Sequence, residues 1–363
     1  MSDRPYWLGF HLIQHIGAVR MLHLKQQFGT LQAAWHAPEH ELRHTELPQN
    51  ALNALLTRRK QIDLNCEIDR IQRLGVHLMT LDDADYPVDL RRIPDPPPVL
   101  YIRGHLTEQD SLALAIVGTR RATRYGRDAT FTISRQLASR GVTIVSGLAL
   151  GIDTAAHEGA LAANGRTLAI LGCGIDITYP RENIELAEKI AQHGAVITEF
   201  PVGTPPTGTN FPRRNRILSG LSLGVLVAEA PPQSGALITA ETALEQDREV
   251  FAIPSNIFNK VGQGSNQLIQ EGATLVMNAG DILDALNVAY VRVTTKHETE
   301  RVAPENDTEK QVLNALETDP IHVDDLIRLT GLPSHEVTAT LTLLELKGLA
   351  ITNGPMQYSR SPG

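Results

Sequence analysis

The sequence predicts an α/β protein centred on a doubly wound, mostly parallel sheet, with a helical segment before it and a small winged-helix-like segment after it. Three observations carry that expectation. Seven continuous apolar runs of strand length recur between residues 112 and 278, amphipathic helical windows separate them, and the composition turns polar and acidic just beyond. Strands buried on both faces read as unbroken apolar runs, and intervening helices supply the crossovers of a parallel sheet.

At 363 residues the chain is expected to hold two or three domains. Residues 1–69 read as a helical domain, because apolar positions recur at helical spacing in WLGFHLIQHIGAVRMLHLKQQFG and again in LNALLTRRKQIDL. Two helices joined at IGA resemble a helix-hairpin-helix. The usual second glycine is replaced by Ala18 or Val19, so a packing role is favoured over a DNA contact. Residues 70–288 form the predicted sheet domain, led in by the proline-rich, extended stretch DADYPVDLRRIPDPPPVLYIRG. Its strands are expected at LALAIVG, VTIVSG, TLAILGCG, AVITEF, LGVLVAEA, EVFAIPS and TLVMN. Residues 289–309 read as an acidic linker, and 310–363 as three helices with a β-like tail. Residues 310–360 carry six acids against four bases, so packing or protein interaction is favoured there over DNA contact.

Composition narrows the function classes. The chain is 42% apolar, with no window near the ~20 apolar residues of a membrane span and no signal-peptide-like start. Two distant cysteines, Cys66 and Cys173, argue against a disulfide framework or a cysteine zinc site and fit a reducing cytoplasm. The formal net charge is −8, yet residues 112–149 hold six arginines against one acid, Asp128. Arginine outnumbers lysine 26 to 7, and its planar fork suits bidentate recognition of phosphate.

In an open α/β sheet, ligands bind at the carboxyl ends of the strands. The loops expected there are GTRRATRYG (118–126), SGLALGID (146–153), GCGIDITYPREN (172–183) and APPQSGALITAE (230–241), with FPRRNR opening the helix after the fourth strand. Glycines let backbone amides approach an anion, and helix starts add unpaired donors. Gly118, Thr119 and Arg120, Ser146 and Gly147, and Ser234 and Gly235 are therefore expected to form neighbouring anion nests on one rim. Arg213, Arg214 and Arg216 should complete a polyanion clamp there. Arg213 and Arg216 share a helix face while Arg214 diverges, which leaves it free to pair with an internal carboxylate instead. Tyr125, Tyr179 and Phe211 stand nearby as stacking surfaces for unpaired bases or as packing.

Other chemistries are weaker. No Gly-Lys pair supports a P-loop, the first turn is not GxGxxG, and HExxH and paired cysteines are missing, so no cofactor or metal is expected. Asp153 and His157 lie one helical turn apart, but an N-capping Asp and a satisfied histidine are favoured over a metal or base pair. Glu199, Glu229 and Glu241 lie near the rim, where orienting arginines is favoured over a catalytic role.

The motifs YPVDLRRIPDPPPVLYIRG, AIVGTRRATRYG, VSGLALGIDTAAHEGAL, GCGIDITYPREN, NFPRRNRILSGLS, VAEAPPQSGALITAETALEQDREVFAIP and GSNQLIQEGA closely resemble the DNA-processing protein A family, also called Smf. The resemblance spans residues 85–275. It implies an extended Rossmann-like domain flanked by a sterile-alpha-motif-like or hairpin domain and a winged helix. It further implies cooperative binding of single-stranded DNA, homodimers, recruitment of the recombinase RecA and protection of incoming DNA in natural transformation, without enzymatic activity. The DNA-contacting positions it implies are Gly118, Arg120, Ser146, Gly147, Arg213, Asn215 and Arg216, with Arg181 at the margin. The sequence departs from the family at Ser255, where a glycine commonly follows the proline. A second class stays open: Rossmann-type enzymes that process nucleoside monophosphates through a PGGxGTxxE loop. Here that loop reads APPQSGALITAE, keeping Glu241 but few of the glycines.

Overall fold

A computed structural model of the chain describes residues 3–286, 306–317, 320–346, 349–354 and 356–360. Two compact units divide it, Met1–Val293 and Thr294–Gly363.

The first unit opens with six helices: α1 (Arg4–His11), α2 (Ala18–Phe28), α3 (Leu31–His36), α4 (Glu39–Arg43), α5 (Gln49–Arg58) and α6 (Leu64–Arg73). Two strands follow, β1 (His77–Thr80) and β2 (Val99–Gly104), with the single turn α7 (Val88–Arg91) between them. Alternation then sets in: β3 (Ala113–Val117), α8 (Arg124–Ala138), β4 (Thr143–Ser146), α9 (Ile152–Ala162), β5 (Thr167–Ile170), α10 (Ile184–His193) and β6 (Ala195–Thr198). It continues as α11 (Asn210–Gly220), β7 (Gly224–Val227), α12 (Gly235–Glu245), β8 (Glu249–Ala252), α13 (Gln263–Gln270), β9 (Thr274–Leu275) and α14 (Ala279–Ala285).

The strands form one sheet in the order β1-β2-β6-β5-β4-β3-β7-β8-β9. All pairings from β6 through β9 are parallel, while β2 runs antiparallel to β6 and β1 antiparallel to β2. Every residue of β3 through β7 is buried, as strands covered on both faces must be. All seven apolar runs of the sequence become strands. The two antiparallel strands lie in and beside the proline-rich lead-in, where only an extended segment is expected from the residues. Val99 follows Pro97 and Pro98 directly, and Leu81 N–H donates to the Pro98 carbonyl at 3.1 Å, so the prolines sit at the strand start, where their missing N–H costs nothing.

The N-terminal helices share one continuous hydrophobic core with the sheet, from Trp7, Leu8 and Phe10 through Leu78 and Tyr101 to Val196. Polar ties reinforce this packing. Trp7 Nε1 donates to Asp82 at 3.0 Å, and Arg4 pairs with Asp83 at 2.8 Å. The Asp3 carboxylate accepts the amides of Leu31 and Gln32 at the start of α3.

Of the acidic linker expected at 289–309, residues 289–305 lie outside the described residues. The described residues of the second unit begin at Asn306, whose side chain caps α15 (Asp307–Ala315) by accepting Glu309 N–H at 2.8 Å. It holds β10 (Ile321–His322), α16 (Val323–Thr330), α17 (Ser334–Leu346), β11 (Ala350–Gly354) and β12 (Gln357–Arg360). The strands form an antiparallel sheet in the order β10-β12-β11. Val312, Leu326, Val337, Leu341 and Leu344 make its separate core. Three helices with a hairpin form the expected winged helix.

Topology fixes where a ligand would sit. From β3 the chain winds outward through β4, β5 and β6, and α11 then carries it back to β7 on the other side of β3. The loops leaving β3 and β7 thus diverge, opening a crevice at their carboxyl ends. Because the terminal helices and sheet share a core, Trp7→Ala should cost the first unit about 3–5 kcal/mol. Urea unfolding followed by circular dichroism will measure this as a lower midpoint.

Candidate nucleic-acid interface

A cavity of about 380 Å³ occupies that crevice. Gly118, Thr119, Arg120, Phe211, Arg214, Asn215, Ser234 and Gly235 all line it, joining three of the expected loops to the start of α11. The β3 loop lies directly on the β7 loop: Thr119 N–H donates to the Glu229 carbonyl at 2.7 Å. At Gly118 a side chain has no room, since a Cβ would come within 2.8 Å of that same carbonyl. Ser234 caps α12 by accepting Ala236 N–H at 3.2 Å, and Asn215 Nδ2 reaches the Gly235 carbonyl at 3.4 Å, holding α11 against α12. Space around Gly235 is open, with nothing within 4 Å of a Cβ placed there.

Arg120 is exposed, and its guanidinium stands 4.9 Å above the Phe211 ring. Phe211 in turn rests on Gly172 at the end of β5 and lies 6.0 Å from Tyr179. A cation backed by an aromatic face keeps its fork edge free for an anion. Arg181 is also exposed; its loop is pinned to the β4 loop by Asn183, which donates to the Leu148 carbonyl and to Thr154, both at 2.9 Å.

The arginines of α11 divide their work differently from the expected three-fold clamp. Arg213 and Arg216 share a face, and between them sits the fully buried Glu199 carboxylate. Arg216 gives two donors to Glu199, one to the Asp95 carbonyl and one to the Arg213 carbonyl, and its side chain is only 12% exposed. Burial works most strongly against its charge, but the hydrogen bonds and the charge of Glu199, with Asp95, together outweigh it and hold the Arg216 pKa above its ordinary value. Arg216 is therefore engaged within the protein, in an ion pair with Glu199 and Asp95. Arg213 contacts Glu199 through one nitrogen at 3.0 Å and stays 56% exposed, so most of its fork faces outward.

Arg214 diverges inward. It is buried, donates to the Ile170 carbonyl at 2.7 Å, and lies over Gly147, where a Cβ would fall 1.7 Å from its Nη1. Burial lowers its pKa, and nearby Asp153 opposes that shift. The nest expected at Ser146 and Gly147 is closed from within. Ser146 is buried with its hydroxyl on the Ile116 carbonyl at 2.6 Å, and Gly147 N–H donates to Asp153 at 3.1 Å. Both residues build the floor under Arg214 and leave no free donor for a ligand.

Asp153 does not cap α9 in the expected manner. Its carboxylate accepts the amides of Gly147 and Ala149 in the preceding loop, at 3.1 and 3.3 Å, and burial raises its pKa. His157 is fully buried. Thr167 Oγ donates to the Ile144 carbonyl, so His157 Nδ1–H donates to Thr167 Oγ at 2.7 Å and Nε2 is left without a partner. Burial, aided by Arg214, pushes its pKa down to about 3. Among the described residues no group of three or more His, Cys, Asp or Glu is placed to hold a metal.

Of the three rim carboxylates, Glu199 orients arginines as expected. Glu229 instead organises loops: it accepts Thr123 N–H at 2.7 Å, Thr123 Oγ at 2.9 Å and Asn259 Nδ2 at 2.9 Å. Glu241 is exposed on α12 and does not line the cavity. Sequence reading missed Asn183 and Asn259. Polar side chains after strand ends were the available signal, but their partners lie 29 to 35 residues away.

Fold and site together define a Rossmann-like protein whose switch point presents an arginine, an aromatic ring and a helix start to one crevice. Residues 77–287 match the family model described as DNA recombination-mediator protein A, and residues 296–352 match the DprA winged helix domain. The chain belongs to the DNA recombination-mediator protein A family. It is 36% identical to the protein Smf of Synechocystis sp., covering 99% of both chains. The X-ray structure of DNA processing protein A from Streptococcus pneumoniae superposes with a TM-score of 0.69 at 33% identity, covering 78% of this chain and 98% of that one. DNA processing protein A from Helicobacter pylori, whose structure is described for its single-stranded DNA binding mode, superposes with a TM-score of 0.53 at 33% identity. That match covers 59% of this chain and 97% of the other.

Arg216→Ala leaves the buried Glu199 with one partner and should destabilise the first unit by about 3–5 kcal/mol, whereas Arg213→Ala should cost far less. Equal losses in urea unfolding would contradict the division of labour. For pH, the neutral folded His157 takes no proton between its unfolded pKa of about 6.5 and its folded value near 3, while the unfolded chain does. This part of the stability is complete above about pH 6.5 and is lost on acidification, by about 1.4 kcal/mol per pH unit through that window. His157→Leu should flatten the stability profile between pH 6 and 4 by roughly that slope.

Proposed function

We propose that this protein is a single-stranded DNA-binding recombination mediator that holds the strand along the carboxyl rim of its sheet without altering it chemically. The switch-point cavity carries the reading: Arg120 stacked on Phe211 faces the helix start at Ser234 and Gly235 across one crevice. Arg120 and Arg213 supply phosphate contacts, Phe211 and Tyr179 supply faces for unpaired bases, and the Gly235 end offers room for the sugar-phosphate chain. Gly118, Thr119 and Asn215 shape the crevice. Arg181 extends it past β5. Contacts to backbone phosphate are blind to sequence, which suits a protein that must accept any incoming strand.

Family membership supports the further steps. The protein acts as a homodimer in the cytoplasm, delivers the bound strand to the recombinase RecA, and shields incoming DNA during natural transformation. It needs no cofactor. The nucleotide-processing alternative gains no support from α12, where Glu241 is exposed and does not line the cavity. The winged helix, acidic in its charge balance, serves protein contact.

The test is a salt series. Binding of a fluorescent oligonucleotide should fall with salt, and Arg120→Ala and Arg213→Ala should each lower the log–log slope by about 0.7. Oligonucleotides of different sequence should show the same change. Slopes identical to the parent in both variants would remove the rim from consideration.

A further inference from the structure

The loop between β8 and α13 ends in an unusual turn. Residues Asn256 to Asn259 form four positions closed by Asn259 N–H on the Asn256 carbonyl at 2.8 Å, with Phe258 N–H on Asn256 Oδ1 at 2.9 Å. The two central positions are Ile257 and Phe258, 74% and 86% exposed. Turn tips normally carry Gly, Asn, Asp or Ser, because those residues suit the geometry and meet water. Phe258 is the most exposed large apolar side chain among the described residues.

This turn is not loosely held. Ser255 N–H donates to Asn266 Oδ1 at 2.8 Å, and Asn266 Nδ2 returns to the Ser255 carbonyl at 2.9 Å. Asn259 Nδ2 donates to the buried Glu229, whose carboxylate also fixes Thr123 at the start of α8. Tyr125, half exposed, donates its hydroxyl to the Pro254 carbonyl at 2.8 Å. The aromatic tip is thus tied to the same loop that carries Arg120. The order of strands sets its direction. Phe211 stands over the end of β5 on one side of the cavity, and the turn follows β8 on the other. Exposed Lys260 follows the turn directly, and exposed Arg124, paired with Asp128 at 3.4 Å, precedes Tyr125.

We propose that Phe258, with Ile257 on the same turn and Tyr125 bonded to the segment leading into it, is a second stacking platform for unpaired bases of the strand as it leaves the switch-point cavity toward β8. This rests on the single-strand reading above and deepens it. The occupant is nucleic acid rather than another protein surface because the patch is small, aromatic, followed directly by Lys260 and tied to the loop that carries Arg120. A strand running from Tyr179 and Phe211 past Arg120 to Tyr125 and Phe258 meets rings at both ends and guanidinium groups between them, the arrangement that grips single strands without reading sequence.

The experiment uses the full chain and two oligonucleotides, one of about 4 nucleotides that fills only the cavity and one of about 16. Phe258→Ala should weaken the longer one about tenfold and leave the shorter one unchanged, as loss of one stacked base predicts. Phe258→Trp should restore binding of the longer strand and show quenching of its fluorescence on saturation. The two native tryptophans, Trp7 and Trp35, are buried and give a constant background. Equal affinity of Phe258→Ala for the longer strand, or an unquenched tryptophan at saturation, overturns the platform while leaving the rim intact. A shift in sedimentation by Phe258→Ala with unquenched tryptophan assigns the turn to a second copy of the chain and also overturns it. If the parent protein binds neither oligonucleotide, both readings fail together.

Discussion

The buried carboxylate of Glu229 holds the switch point together. Its backbone carbonyl receives the Thr119 amide, and its side chain receives Thr123 and Asn259. Three segments that leave three different strands are thereby fixed to one group of atoms. A carboxylate with no exposure is costly to bury unless its lone pairs are filled, and here neutral donors fill them. A crevice at the meeting of diverging loops would otherwise be free to open and close. With Glu229 in place its walls are set before any ligand arrives, so binding need not pay to order them.

Glu199 solves a related problem with charge. The helix that returns the chain from β6 to β7 carries three arginines within four residues, and all lie near the sheet end. Leaving three guanidinium groups on one short helix would destabilise it through like-charge repulsion. One is buried against the sheet with Asp153 nearby, one is saturated by Glu199 and Asp95, and the third shares Glu199 while keeping its outer edge in water. The cluster is therefore mostly architecture, with Arg213 as its outward member. Arg120, on a different loop and backed by Phe211, is the better placed cation.

The Synechocystis relative aligns over 99% of the chain, and the sheet and winged-helix portions each match their own model. Phe258 stands on a turn held by Asn256, Asn259 and Asn266, and these bonds are separate from those that line the crevice.

Much of this was legible in the residues themselves. Burial on both faces forces unbroken apolar runs, so the seven parallel strands, the crossover helices and the rim of loops followed from the sequence. The winged helix followed from helical spacing and a β-like tail. The antiparallel strands β1 and β2 did not, because neighbouring prolines hide a strand that merely begins beside them. The fate of each charged side chain was decided only by tertiary structure. Helical spacing places Arg213 and Arg216 on one face, but whether that face meets water or the Glu199 carboxylate depends on a strand end 14 to 17 residues earlier. Ser146 and Gly147 look like an anion nest in sequence, yet Asp153 and the Ile116 carbonyl claim their donors. Local pattern fixes which backbone forms, while partners distant along the chain determine which donors remain for a ligand.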